Sequence, residues 1–146
     1  MNIKDLHSIF LEFPSVSTDT RKIKKNDIFF ALKGDNFNGN TYAQQAINNG
    51  ASYVIIDQKE YYINDKTILV DDTLIMLQKL ANFHRNYCDA KVISLTGSNG
   101  KTTTKELIHA VLAEKYKTIA TVGNLNNHIG VPLTLLSIKP NTEIAI

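Results

Sequence analysis

Residues 94–104, SLTGSNGKTTT, constrain this chain more than any other stretch. They begin inside the apolar run KVISLT, which reads as a strand, and open KTTTKELIHAVLAEKY, where Leu107, Ile108, Val111 and Leu112 recur at helical spacing. A glycine turn between a strand and a helix is a natural anion site. Gly97 and Gly100 accept positive φ without the steric penalty of a Cβ. Successive N–H groups then point inward as a nest, and the helix adds its positive N-terminal end. Lys101 supplies a mobile cation and Thr102 a hydroxyl for Mg²⁺. The spacing is shorter than the ordinary G-x-x-x-x-G-K-[ST]: only Ser98 and Asn99 separate Gly97 from Gly100, and Leu95 stands where that pattern wants its first glycine. The competing reading is a turn followed by a solvated lysine. The ordered combination of strand, two glycines, Lys, three Thr and amphipathic helix favours phosphate binding.

Strands and helices alternate on both sides of the loop. Residues 1–12 place Ile3, Leu6, Ile9 and Phe10 on one helical face. NDIFFAL reads as a buried strand, KGDNFNGN as a turn, and TYAQQAINNG as a helix stopped by Gly50. ASYVIID and TILVD read as two more strands. A helix over residues 73–87, capped by Asp72, opens the second half. After the loop and its helix come KTIATV as a strand, a helix from Pro132, and TEIAI as a strand. This order predicts an α/β fold with a parallel sheet. Short mixed elements give way to regular alternation at Asp72. Residues 1–72 are therefore expected to form a small α/β substrate domain, and residues 73–146 the first part of a parallel-sheet P-loop ATPase domain.

Composition excludes several classes. With 43% apolar and 21% charged residues, a chain of 146 residues can bury a core and fold as a soluble globule. A net charge of +2 is too small to argue for nucleic acid or an anionic membrane. No apolar run approaches the roughly 18 residues of a membrane span. MNIKDLHSIF lacks a signal-peptide layout, so a cytoplasmic location is expected. Cys88, the single cysteine, cannot form an internal disulfide; with no ligand-type neighbour evident, it reads as a helix-end core residue. His84 and His109 read as structural residues on helix faces, and RKIKK, Arg21 apart, as a solvated charge run.

Three stretches together resemble the Mur ligase family. TGSNGKTTT is similar to the nucleotide loop of these ligases and of the related folylpolyglutamate synthases, TG-x-N-GKTT. Residues 17–52 resemble the family's N-terminal domain through Asp19-Thr20-Arg21, the DIFFALKG stretch and Gly50-Ala51. TVGNLNNHIGVPLTLL, residues 121–136, is most similar to the members that join D-Ala-D-Ala to a UDP-MurNAc-tripeptide. Two departures stand out. Thr20 replaces the more usual Ser, and NGNTY (38–42) replaces Asp-Gly-His-x-Phe, which puts Asn40 where the family has His.

The resemblance implies ATP-dependent amide-bond synthesis through an acyl phosphate. ATP and Mg²⁺ are the implied cofactors, and UDP-MurNAc-tripeptide and D-Ala-D-Ala the implied substrates. ATP would be held by Gly97, Ser98, Asn99, Gly100, Lys101, Thr102 and Thr103, with Lys101 catalytic and Thr102 on Mg²⁺. The UDP end would lie at Thr18, Thr20, Arg21, Asn38 and Gly39, although Thr18 and Asp19 suit a turn cap equally well. Asn124, Asn126 and Asn127 either face substrate or metal-bound water or simply form turns. The family's metal-binding Glu follows a strand of the TEIAI kind, and here the sequence stops at Ile146. The chain is accordingly expected to be an N-terminal piece of a ligase, inactive alone, that self-associates through an exposed sheet edge. No nucleic acid or membrane partner is expected. Two other readings stay open: a sister ligase adding the third-position residue, against which only GNLNNHIGVPLTLL speaks, and a nucleotide-binding module that catalyses nothing.

Overall fold

Asn2 starts the first helix, α1 (Ile3–Glu12), by accepting a hydrogen bond from the Asp5 N–H at 2.9 Å on its side-chain oxygen. Leu6 and Phe10 of α1 are fully buried. β1 (Val16–Ser17) pairs in parallel with β2 (Ile28–Phe30), whose three residues are all buried. A strand covered on both faces needs such an unbroken apolar run. β3 (Lys33–Gly34) and β4 (Phe37–Asn38) form a small antiparallel hairpin in the segment expected to be a turn. A 3₁₀ turn over Gly39–Tyr42 leads into α2 (Ala43–Asn48), and Gly50, at φ 104°, ends it as expected. β5 (Tyr53–Ile56) and β6 (Thr67–Leu69) complete a four-stranded parallel sheet in the order β1-β2-β5-β6. Ala43 and Ala46 are small enough to seat α2 closely on Phe29, Val54 and Ile56. Each fully buried Phe or Ile here stabilises the fold by about 1.5–3 kcal/mol.

Asp57, at the end of β5, fastens three segments to this sheet. Its side chain is 1% exposed. It accepts from Asn40 Nδ2 at 2.9 Å and pairs with Lys33 Nζ at 3.0 Å, while the N–H and hydroxyl of Thr73 each lie at 3.4 Å. Burial pushes the carboxyl upward, but the hydrogen bonds from Asn40, Lys33 and Thr73 outweigh it and leave Asp57 below the usual carboxylate range. α3 (Thr73–Tyr87) begins here, and Asp72 Oδ1 accepts from the Ile75 N–H at 2.8 Å, the expected cap.

The structure describes all residues from Met1 to Ile146, computed as a structural model. They form two units, Met1–Leu80 and Ala81–Ile146, so the division falls within α3. The sheet of the first unit uses only residues of β1 to β6. The second has its own parallel sheet: β7 (Lys91–Val92), β8 (Thr118–Ile119) and β9 (Ile144–Ala145) in the order β7-β9-β8. Its core gathers Cys88, Ile138 and Ala145, with Val92, Ile119 and Leu135 against them. His84 and Cys88 are both buried, His84 Nε2 lies 2.8 Å from the Ile138 carbonyl oxygen, and Cys88 Sγ lies 3.5 Å from His84 Nε2. The thiol therefore does have a histidine one helical turn away, and the pair fixes the end of α3.

Several elements differ from the sequence reading. KVISLT pairs only through Lys91–Val92 and the Ile93 N–H, which donates to the Ala145 carbonyl at 2.8 Å. α4 (Lys101–Ala113) starts where expected and stops three residues short of Tyr116, and its apolar repeat does not form one buried face. Leu107 and Val111 are 64% and 71% exposed, and only Ile108 and Leu112 are partly covered. α5 (Gly130–Leu136) starts ahead of Pro132 because Asn127 Oδ1 accepts from the Ile129 and Gly130 N–H groups, at 3.1 and 2.7 Å. Pro132 still lies in the first turn, where its missing N–H does no harm.

Candidate nucleotide site

The chain leaves β7 and crosses an exposed loop before α4. Gly97 has φ 145° and Gly100 φ 78°, so both need a residue without a Cβ. Gly100 is the N-cap of α4, and no side chain caps the helix. The first amides of α4 therefore have no side-chain acceptor from the cap position, the state in which a helix start can receive an anion. Lys101 Nζ folds back and donates to the Gly97 carbonyl at 2.5 Å. The cation thus sits across the same glycine turn that the sequence singled out. Ser98, Asn99, Thr102 and Thr103 are exposed along this rim.

A cavity of about 210 Å³ opens beside the loop. Lys101, Thr102, Asn124 and Asn126 reach its wall, as do Lys105 and the end of β9 at Ala145 and Ile146. The structure brings two of the three asparagines to the site. Asn127 instead braces the turn that leads into α5, with its side-chain oxygen occupied by the Ile129 and Gly130 amides.

A second cavity, of about 520 Å³, lies in the first unit. Thr18, Thr20 and Arg21 line it together with Phe37, Tyr42 and Gln45. Asp19 grips Arg21 with both oxygens, Nε at 2.9 Å and Nη2 at 2.8 Å, and also accepts from the Arg21 N–H at 3.0 Å. The Arg21 hydrogen bonds hold the Asp19 carboxyl down at about 2, and the Arg21 side chain is still 84% exposed. The rings of Phe37 and Tyr42 stack at 5.6 Å and 18°. Asn38 and Gly39 do not line this cavity. Asn38 Oδ1 accepts from the Asn40 N–H and Nδ2 donates to Gln58 Oε1 at 2.7 Å. Gly39 is buried, and a Cβ there would stand 2.4 Å from the Leu32 carbonyl oxygen. Both scaffold the turn.

Residues 12–85 match the profile described as Mur ligase family, catalytic domain. The chain belongs to the Mur ligase family. Residues 95–146 match the Mur ligase middle domain, which begins at the nucleotide loop. The UDP-N-acetylmuramoyl-tripeptide–D-alanyl-D-alanine ligase of Bacillus subtilis (strain 168) is 48% identical over 133 residues, covering 90% of this chain and 29% of the relative. Among solved structures, MurF from Acinetobacter baumannii superposes with a TM-score of 0.81 at 36% identity, over 90% of this chain and 29% of that one. MurF ligase from Thermotoga maritima, solved in complex with ADP, gives 0.80 at 32% identity, over 92% and 32%. The chain thus spans about a third of the length of these relatives. Its α/β fold is that of MurF ligases.

Against this Mur ligase frame, the sequence reading missed Lys105 and the trio Phe37, Tyr42 and Gln45. Lys105 lies one turn beyond Lys101, a spacing that puts both on one helix face and could have revealed it. Phe37 precedes the 3₁₀ turn that starts at Gly39 and Tyr42 ends it, and the geometry of that turn, unreadable from composition, is what stacks them. The donors present fit a nucleotide with its magnesium only in part. The loop amides and Lys101 suit the phosphates. For the metal, the loop offers the Thr102 hydroxyl, and nowhere in the chain do three or more His, Cys, Asp or Glu residues gather into a metal-holding group. Mg²⁺ commonly keeps several waters and takes phosphate oxygens, so one protein hydroxyl is compatible with it.

Proposed function

We propose that this chain serves ATP-dependent addition of D-Ala-D-Ala to UDP-MurNAc-tripeptide in the cytoplasm. The first unit would hold the UDP end of the tripeptide substrate, and the second the ATP phosphates. The observation that carries this reading is the coincidence of the uncapped glycine loop and Lys101 with relatives named for that ligase along nearly the whole chain. In the reaction the tripeptide carboxylate attacks the γ-phosphorus, and ADP leaves with the electrons of the broken P–O bond. The dipeptide amine then displaces phosphate from the acyl phosphate and loses a proton. Negative charge spreads over the transferring oxygens, so fixed N–H dipoles and a cation are what the chemistry requires. The amides of residues 97–103 and Lys101 would supply them. Lys101 must first leave the Gly97 carbonyl, an exchange that an incoming phosphate favours because a charge-assisted bond is the stronger. Thr102 would hold Mg²⁺, which brings further positive charge to the phosphates when bound.

In the first unit, Thr18, Thr20 and Arg21 would take the diphosphate side, and the Phe37–Tyr42 pair would offer an aromatic face beside it. Titrating the isotope-labelled chain with UDP-MurNAc-tripeptide tests this reading. Resonances of Thr18, Thr20, Arg21, Phe37, Tyr42 and Gln45 should move together. If they stay fixed while the ligand binds elsewhere, the assignment of the first unit fails.

A further inference from the structure

Lys105 is the only buried lysine of the chain, with 9% of its side chain exposed. Its Nζ donates to the Thr121 carbonyl and, at 3.0 Å, to the Gly123 carbonyl, and it pairs with Glu106 Oε1 at 2.8 Å. An ammonium has three donors, and all three are engaged. Taking such a group out of water is unfavourable unless it is paired and hydrogen-bonded, and an apolar side chain would fill the same space without that requirement.

The segment it grips joins β8 to α5. Gly123 is left-handed at φ 56°, and Asn124 and Asn126 follow it into the wall of the nucleotide cavity. The other backbone hydrogen bonds of residues 122–126 stay within the segment: the Leu125 N–H donates to Val122, and the Asn126 N–H to Asn124. Lys105 is therefore the hydrogen-bonded tie from α4 to this stretch. It springs from the helix that carries Lys101 and Thr102 at its start, so loop and asparagines share one anchor.

We propose that Lys105 is a positioning residue of the nucleotide site, fixing residues 121–126 to α4 so that Asn124 and Asn126 stand beside the phosphates. This rests on the nucleotide reading of the loop. A displacement of the order of 1 Å at such a shell lowers productive contact by up to about a hundredfold. The probe is ADP with Mg²⁺, measured by calorimetry on the full chain at a temperature where each variant gives a folded spectrum. Lys105→Met should weaken binding about tenfold or more, and Lys105→Arg should recover most of it. Amide exchange should quicken across residues 122–126 in Lys105→Met and stay unchanged at Ile93 and at Thr121, whose N–H donates to the Ile146 carbonyl. In the wild-type chain, the Lys105 ammonium should give a slowly exchanging ¹⁵N–¹H signal; its absence overturns the clamp however the variants fold. Equal ADP affinity in a folded Lys105→Met variant overturns the positioning role and leaves the nucleotide reading standing. A wild-type chain that takes up no ADP overturns both.

Discussion

Lys101 is the side chain on which the nucleotide site depends most. Replacing it by Ala removes the one mobile cation on the loop and leaves the amides. ADP–Mg²⁺ affinity should fall by about tenfold to a hundredfold, while ligand binding at Thr18, Thr20 and Arg21 is unchanged. Calorimetry with each ligand separates the two effects. Asp19 makes a pH-dependent contribution. Its folded pKa of about 2 lies below the unfolded value of about 3.9. The stabilisation from its pairing with Arg21 is thus fully present above the unfolded value and disappears as pH falls through about 2. A carboxyl ¹³C titration should show that midpoint, and Arg21→Ala should return it to the ordinary range. Gly39 is fixed by sterics: Gly39→Ala sets a methyl 2.4 Å from the Leu32 carbonyl oxygen, and should destabilise the first unit by about 1–3 kcal/mol in urea unfolding.

At the scale of elements, Asp57 joins the β3–β4 hairpin, the 3₁₀ turn at Asn40 and the start of α3 to the central sheet. Asp57→Ala should leave Asn40 Nδ2 and the Thr73 N–H without their carboxylate acceptor, lowering stability by about 1–3 kcal/mol. Equilibrium unfolding of that variant beside Asn40→Ala would show non-additivity, since both changes break one network. This network also explains what could and could not be read from the sequence. The starts of α3 and α4 were legible from the Asp72 cap and the Gly100 turn, and their type from apolar spacing. The asparagine in the family's histidine position gave no sign of its partner, because Asp57 lies 17 residues away and only the fold brings the two together. The exposed Leu107 and Val111 show the same limit in reverse: helical spacing identifies a helix, but not what covers its apolar side. Within the sites, the glycine loop was legible from local chemistry. The Phe37–Tyr42 stack and the Lys105 clamp were not, because each joins residues through tertiary geometry.

Across the whole chain, two parallel sheets have separate cores, and each of the two candidate sites has its own cavity, one in each unit. The strands of the second unit are only two residues long and its core is small, whereas the first unit buries Ile28, Phe29, Phe30 and three residues of β5. Amide exchange should therefore be slowest in β2 and β5 and faster in β7 to β9. The central claim is that this Mur ligase chain holds nucleotide phosphates at residues 97–103. It is tested most directly by recording amide resonances of the labelled chain during titration with ADP–Mg²⁺. Saturable shifts centred on residues 97–103, with Asn124 and Asn126 following and Thr18, Thr20 and Arg21 silent, are the predicted result. Shifts confined to the first unit, or none at the glycine loop at saturating ADP, would contradict it.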